Sequence, residues 1–149
     1  MNDVLYEMEL TYKPDGLIYQ RKPVKSSNEA YKLVKQLFCN KTVACQEEVI
    51  VLYLNYSQLP LGYLKLGKGG ISSVVVDNRI ILSTAVKSMA TSLIIAHNHP
   101  SGNMVPSESD KIITSRLLNA CFQLDIKLLD HIIVGPVEKY YSFADDGLL

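Results

Sequence analysis

The chain has 149 residues, of which 48% are hydrophobic and 20% charged, and its 15 basic and 15 acidic residues cancel. This length and composition are typical of one globular domain with a substantial core. The balanced charge excludes a global field that would attract nucleic acid, so we do not expect tight DNA binding by this chain alone. The sequence shows no secretory signal and no apolar run near the roughly 18 residues of a membrane span, which predicts a cytoplasmic protein.

The three cysteines, Cys39, Cys45 and Cys121, lie in or beside apolar segments and form no C-x-x-C pair. Because three thiols cannot all pair with one another, we predict free thiols in a reducing compartment. A disulfide between Cys39 and Cys45 is the alternative for an oxidising compartment.

The first 45 residues are predicted to form an N-terminal extension that contains one strand and one helix. Apolar and polar residues alternate over residues 4–12, a pattern typical of a strand. Ser26 and Glu29 have the spacing of a capping box, which predicts the start of a helix that ends near Asn40. The apolar face of that helix has the spacing of an amphipathic helix and consists of Ala30, Leu33, Val34, Leu37 and Phe38.

The second segment, residues 46–149, is predicted to hold the main domain. Residues 49–54 form a continuous apolar run that predicts a strand buried on both faces. A short loop separates it from a strand at 61–66, which predicts an antiparallel hairpin. A short strand at 74–76 then precedes a helix capped by Asp77 or Asn78. Its predicted inward residues are Ile81, Ala85, Val86 and Met89.

The last third of the chain alternates strands with one long helix. We predict a strand at 92–96, a helix at 107–124, and two final strands at 126–134 and 139–143. The apolar stripe of the helix is formed by Ile113, Leu117, Ala120, Cys121 and Leu124. Strands and helices in this order, with hairpins at both ends, predict an α/β fold with a mixed β-sheet and helices on both faces.

The residues with the clearest chemistry follow the strand at 92–96. His97 and His99 are residues i and i+2 at a strand end, so their side chains point to the same side. Asp110 lies in the first turn of the next helix, three residues after Ser107 and on the same helical face. An isolated His-x-His is also compatible with two polar loop residues, but imidazoles and a carboxylate at this spacing are ligands that zinc takes.

The segment 97–102, His-Asn-His-Pro-Ser-Gly, together with Ser107 and Asp110, resembles the JAMM (MPN-plus) metalloprotease motif. The segments 129–135, Leu-Asp-His-Ile-Ile-Val-Gly, and 141–143, Tyr-Ser-Phe, narrow the resemblance to the RadC-type JAB-domain branch. The resemblance runs from about Gln46 to Leu149. It implies the mixed α/β JAMM/MPN fold that this family shares with cytidine deaminases.

The resemblance also implies roles for individual residues. His97, His99 and Asp110 match the zinc ligands of the family, and Ser107 matches the serine that supports the oxyanion. Two residues have structural alternatives that the sequence leaves open. Ser107 is equally suited to be only the N-cap of the helix, and Asp110 also complements the helix dipole.

The general base of the family is a glutamate early in an upstream strand. Matching Leu54 and Asn55 to the end of that strand in the family points to Glu47, and Glu48 is the alternative. Because neighbouring strand residues point to opposite faces, only one of the two can reach the zinc.

The resemblance implies a zinc-dependent hydrolase that cleaves an amide or isopeptide bond in a peptide or protein substrate. One alternative is a DNA-repair or DNA-processing accessory protein of RadC type, against which the balanced charge argues. Another is a non-catalytic MPN scaffold, against which the complete ligand set argues. Asp130 and His131 lie within a strand pattern, which favours hydrogen-bonded structural roles over catalytic ones.

Overall fold

The computed structural model describes residue 5 and residues 7–15, 22–69 and 76–149. Within this part of the chain, the first helix is followed by two strands, a helix, a strand, a helix and two final strands, an order typical of a mixed α/β domain. They are α1 (Ser27–Lys35), β1 (Glu48–Leu54), β2 (Pro60–Lys68), α2 (Asn78–Lys87), β3 (Ser92–Asn98), α3 (Glu108–Phe122), β4 (Lys127–Val134) and β5 (Tyr140–Ser142).

The strands form one sheet in the order β2-β1-β3-β4-β5. The predicted hairpin is confirmed, because β1 pairs antiparallel with β2 along its whole length. On its other side β1 pairs antiparallel with β3, whereas β3 and β4 are parallel and are joined through α3. β4 and β5 form a second antiparallel pair, so the sheet is mixed, as the sequence predicts.

Helices cover both faces of this sheet, which confirms the predicted architecture. One apolar cluster joins α1 to residues such as Ile50, Ile94 and Ile132. The opposite cluster joins α2 and α3 to residues such as Val51 and Ile95. Because β1 is central and covered from both sides, all seven of its residues are buried. An apolar run without alternation is the pattern expected of such a strand.

The first helix begins as predicted but ends earlier. Ser26 is its N-cap and accepts a hydrogen bond from the Glu29 N–H at 3.2 Å. The Glu29 carboxylate accepts from the N–H of Lys25 at 2.8 Å. The predicted end near Asn40 is wrong, because α1 ends at Lys35. The next backbone N–H groups bond to carbonyls three residues back, a tighter turn that still buries the apolar side chains that extended the predicted pattern.

Other boundaries differ for physical reasons. The predicted strand at 4–12 is wrong for residue 5 and residues 7–12, which belong to no strand. One contact of this segment is made by the Met8 carbonyl, which accepts a hydrogen bond from Lys87 Nζ at 3.2 Å. Alternation alone does not make a strand without a partner for the backbone. In the predicted strand at 74–76, residues 74 and 75 lie outside the described residues, and Val76 is not in a strand.

Some residues predicted to face inward are exposed. In α2, Ile81 and Ala85 are buried, but Val86 is 53% exposed. Met89 is 82% exposed and has a positive φ of 57°, which places it in the turn after the helix. In the predicted stripe of α3, Leu124 is 46% exposed because the helix has already ended at Phe122.

Two thiols have contrasting environments. Cys45 is exposed and Cys121 is buried between α3 and the sheet, and both are free. Burial raises the pKa of the Cys121 thiol to about 11, so this cysteine behaves as an apolar core residue.

Among the described helices, none has the length and apolar character needed to cross a membrane.

A matched pair of substitutions in α3 tests this core. Leu117 is fully buried against the sheet, whereas Ile112, on the same helix, is 51% exposed. We expect Leu117→Ala to lower the free energy of unfolding by about 2–5 kcal/mol through lost burial and a residual cavity. Ile112→Ala should change it by about 0.5 kcal/mol or less. Urea denaturation measures both values, and equal losses would contradict the assigned face of α3.

Candidate metal centre

The candidate site forms where the end of β3 meets the start of α3. His97 lies in β3 directly opposite Val49 of β1, so it points to the sheet face that α3 covers. His99 follows the end of the strand and points the same way, and its N–H donates to the Val134 carbonyl at 2.9 Å. Asp110 reaches the same point from the first turn of α3.

The side chains of these three residues converge on one small volume. His97 Nε2 lies 2.9 Å from His99 Nε2 and 3.3 Å from Asp110 Oδ1. His99 Nε2 lies 3.6 Å from Asp110 Oδ2. Ligands about 2.0–2.1 Å from a tetrahedral zinc ion are separated by roughly 3.3 Å. The three residues form a group that could hold a metal ion, and their spacing matches that geometry.

The charge states of His97 and Asp110 favour a cation, whereas His99 favours a proton that a bound ion would displace. Burial lowers the pKa of His97 to about 4, so its imidazole is neutral at pH 7. Burial also acts to raise the pKa of Asp110, but hydrogen bonds from His99 and Ser107 hold it well below its usual range, and so does the charge that His97 acquires in the acidic range where Asp110 titrates. The hydrogen bond to Asp110 raises the pKa of His99. A neutral imidazole and an ionised carboxylate are the forms that bind metal.

Ser107 fixes the orientation of the Asp110 carboxylate. Ser107 is the N-cap of α3, and its Oγ accepts from the Asp110 N–H at 3.1 Å. The Ser107 hydroxyl and its N–H both donate to Asp110 Oδ2, at 2.6 Å and 2.7 Å. The two residues therefore form a capping box that also positions the carboxylate of the candidate metal-binding group.

The sheet separates the two glutamates proposed as alternatives for the base. Glu48 is buried and pairs with Lys65 on the face of α1, with 3.2 Å between Oε1 and Nζ. Glu47 precedes it and, by strand alternation, points to the same face as Val49 and His97. Its carbonyl accepts from the Gly69 N–H at 2.9 Å, which holds the backbone there.

Glu47 is electrostatically part of the same cluster. Burial raises its pKa, the charge of His99 opposes this shift, and the charge of Asp110 adds to it. A carboxylate with a raised pKa beside a cluster of ligating groups is a candidate for proton transfer.

Asn98, between the two histidines, points to the opposite side and clamps the backbone around Glu47. It is fully buried, and its Oδ1 accepts from the Glu48 N–H at 2.7 Å. Its Nδ2 donates to the carbonyls of Val43 and Gln46, at 2.7 Å and 2.9 Å. The sequence marked Asn98 only as part of the motif, because its contacts lie about fifty residues away in the chain.

Further polar groups form hydrogen bonds with Nδ1 of each histidine, the ring nitrogen that faces away from the candidate metal site. His99 Nδ1 donates to the Asn103 carbonyl at 2.5 Å. His97 Nδ1 lies 2.8 Å from Nε2 of His131, whose Nδ1 lies 2.6 Å from the Thr114 hydroxyl. His131 is therefore hydrogen-bonded inside the protein, as its strand context indicates. Sequence analysis missed Thr114, although a lone hydroxyl among the buried positions of α3 was a usable signal.

Asp130 lies outside the metal-binding group and joins β4 to the end of the chain. Its carboxylate accepts from the Ser142 hydroxyl at 2.6 Å and from the N–H groups of His131 and Ala144, at 2.7 Å and 3.1 Å. Burial raises its pKa, which these hydrogen bonds partly offset. Its contacts are those of a structural residue.

Comparison with known proteins agrees with this geometry. A family model described as the RadC-like JAB domain matches residues 24–148, a range that takes in α1 as well as the whole sheet. The chain belongs to the RadC-like JAB-domain family. This membership accounts for the mixed sheet and for the position of the His-His-Asp group.

Individual relatives support the same assignment. The chain is 39% identical over 147 residues to a UPF0758 protein of Porphyromonas gingivalis, covering 98% of this chain and 63% of the relative. It is 39% identical over 131 residues to a UPF0758 protein of Flavobacterium johnsoniae, covering 88% and 56%. It is 44% identical over 104 residues to the UPF0758 protein YfjY of Escherichia coli K12, covering 70% and 64%. The chain thus spans about three-fifths of the length of these curated relatives, whose names state no reaction.

Substitution of Asn98 tests the clamp around Glu47. Asn98→Ala leaves the buried Glu48 N–H and its neighbouring carbonyls without their partner, which should lower the free energy of unfolding by about 1–3 kcal/mol. Asn119→Ala, at an exposed position of α3, is the control and should change it by about 0.5 kcal/mol or less. Chemical denaturation measures both. An Asn98→Ala protein as stable as the control would show that the clamp contributes nothing.

Proposed function

We propose that the protein is a zinc-dependent hydrolase of the JAMM type that cleaves an amide or isopeptide bond in a peptide or protein substrate. The observation that carries this proposal is the convergence of His97, His99 and Asp110, with Glu47 on the same face of the sheet. Membership of the RadC-like JAB-domain family supports it.

The donor set favours zinc over other common ions. Two imidazole nitrogens and one carboxylate suit zinc, and three protein ligands with an open position are typical of catalytic zinc sites. Magnesium and calcium prefer sites built of oxygen ligands, so a site in which two of three donors are nitrogens disfavours them.

The chemistry divides between the ion and the side chains. When bound, zinc would polarise the scissile carbonyl and activate a water molecule for attack. Glu47 would accept the proton of that water and deliver it to the leaving amine. Its burial raises its pKa, which makes the carboxylate a stronger base than an exposed glutamate. His97, His99 and Asp110 would hold the ion.

We assign Ser107 first to the orientation of Asp110, because its hydroxyl donates a hydrogen bond to Asp110 Oδ2. Support of an oxyanion by Ser107 remains part of the proposal. It would require the hydroxyl to turn away from Asp110 when the carboxylate is engaged by an ion.

A peptide or protein substrate fits the charges better than nucleic acid. Glu47 and Asp110 are carboxylates at the site and would repel phosphate groups, and the whole chain has no net positive charge. The neutral balance also supports the proposal that this chain alone does not bind DNA tightly. A reducing, cytoplasmic setting is consistent with Cys45 and Cys121 as free thiols.

Metal analysis tests the ligand set. After removal of metal and reloading with excess Zn²⁺, the protein should retain about one zinc per chain in atomic emission measurements. His97→Ala, His99→Ala and Asp110→Ala should each lower this occupancy sharply, since each removes one donor. Glu108→Ala, in the same first turn of α3 but exposed, is the matched control and should keep the zinc. Full zinc retention in the His97→Ala, His99→Ala double variant would overturn the site.

Substitutions of the neighbouring residues Glu47 and Glu48 test the base. Once a cleavable substrate is found in a peptide or isopeptide library, Glu47→Gln should keep zinc and lower kcat by about 10²–10⁴-fold. Glu48→Gln should keep kcat nearly unchanged, because Glu48 pairs with Lys65 on the other face. The reverse result would transfer the role to Glu48, and two active variants would exclude this mechanism.

A further inference from the structure

A hydrogen-bonded chain of side chains runs from the backbone of α3 to Nδ1 of His97, the ring nitrogen opposite the Nε2 that faces the candidate metal site. The Thr114 Oγ1 lies 2.6 Å from the Asp110 carbonyl and 2.6 Å from His131 Nδ1. His131 Nε2 lies 2.8 Å from His97 Nδ1. Thr114, His131 and His97 are buried, with exposed fractions of 2%, 2% and 6%. Water therefore does not compete for these hydrogen bonds, and each proton has a limited choice of partner.

The direction of the chain is set at the backbone end. A carbonyl oxygen can only accept, so the hydroxyl proton of Thr114 is donated to the Asp110 carbonyl. Thr114 has no second proton, so the short contact with His131 Nδ1 requires that Nδ1 donate to the Thr114 oxygen. His131 therefore carries a proton on Nδ1.

The next link follows from the surroundings of His131. Its ring stacks on Phe143, with centroids 4.6 Å apart, and its hydrogen-bond partners are Thr114 and His97. A second proton on His131 would place a charge in this buried pocket, where, among the described residues, no carboxylate is hydrogen-bonded to the ring to compensate it. His131 is therefore neutral, and its Nε2 accepts a hydrogen bond from His97 Nδ1.

We propose that Thr114 and His131 are positioning residues that hold His97 in the Nδ1-protonated tautomer, so that the lone pair on Nε2 faces the metal site. The consequence for metal binding rests on the proposed function, whereas the tautomers themselves can be measured without metal. His99 also carries a proton on Nδ1, which donates directly to the Asn103 carbonyl. While no metal is bound, the 2.9 Å contact between the two Nε2 atoms then needs a proton on Nε2 of His99.

The opposite tautomer of His97 would obstruct the site. A proton on Nε2 would point toward His99 Nε2 and Asp110, at 2.9 Å and 3.3 Å, where a metal ion must bind. Moving it to Nδ1 would then be an added cost of binding. Groups that orient a ligating histidine in this way typically contribute a factor of about 10–100 to metal affinity.

Substitution of Thr114 isolates this effect with little change in shape. Thr114→Val removes only the hydroxyl and leaves His131 Nδ1–H without its acceptor, which allows His131 to move its proton to Nε2. Thr114→Ser keeps the hydroxyl and is the matched control. We expect Thr114→Val to weaken Zn²⁺ binding about 10–100-fold in competition with a chromophoric chelator, and Thr114→Ser to stay within about threefold of the parent. Thermal unfolding of each metal-free variant verifies that it is folded.

Nitrogen-15 NMR of the metal-free full chain reads the tautomers directly. In the parent protein above pH 7, the long-range ¹H–¹⁵N pattern should show His97 and His131 protonated at Nδ1, and Thr114→Val should shift both patterns toward Nε2 protonation. An Nε2-protonated His97 in the parent would overturn the proposal. So would Zn²⁺ affinity of Thr114→Val equal to that of Thr114→Ser.

Failure of the proposed function would give a different result. A parent protein with the expected tautomers that binds no Zn²⁺ would retain the tautomer assignment and reject the metal site. A parent protein that binds Zn²⁺ but has the opposite tautomer on His97 would retain the metal site and reject the roles of Thr114 and His131.

Discussion

The alternation of side chains at the end of β3 is the constraint on which the site depends. His97 and His99 face α3, while Asn98 between them faces α1 and holds the backbone on either side of Glu47. Residues 97–99 therefore place two of the three candidate metal-binding side chains on one face of the sheet. On the opposite face, the middle residue of the three holds the start of the neighbouring strand β1. A register slip of one residue between β1 and β3 would exchange these faces and place Glu48 beside the histidines.

The fold was predictable where the signal was local. A few consecutive residues are enough to predict β1 and β3, because each is a continuous apolar run. The start of α3 is likewise predicted by the spacing of Ser107 and Asp110. The structure of residues 7–12 was not predictable from local signal. Their alternation resembles that of a strand, but a strand also requires a neighbouring backbone with free hydrogen-bonding groups. The early end of α1 was not predictable either, for a different reason. The apolar residues that follow the helix are buried by tertiary packing in a turn as well as they would be in a helix.

The site divides in the same way. The three residues of the candidate metal-binding group could be predicted to lie together because they fall within fourteen residues and two of them share a strand end. The choice between Glu47 and Glu48 needs the register of β1 against β3, which sequence alone does not provide. The residues that form hydrogen bonds behind His97 could not be predicted from the sequence. Thr114 and His131 become neighbours only because β3 pairs parallel with β4 and α3 crosses over them.

The polar groups of this centre lie at the edge of an apolar core, where desolvation makes every unpaired donor or acceptor costly. The structure meets this constraint by giving each proton one acceptor: the Nδ1–H groups of His97 and His99 point away from the centre, and Ser107 donates toward Asp110 Oδ2. The Nε2 atoms of the two histidines and the Asp110 carboxylate all point inward. Such an arrangement is compatible with a stable fold only if the inward-facing electron density is balanced by a positive charge, either a proton shared among the three groups or a metal ion. Of these, a metal ion can engage all three donors at once, so the binding energy of the proposed ion would also be folding energy for β3 and α3.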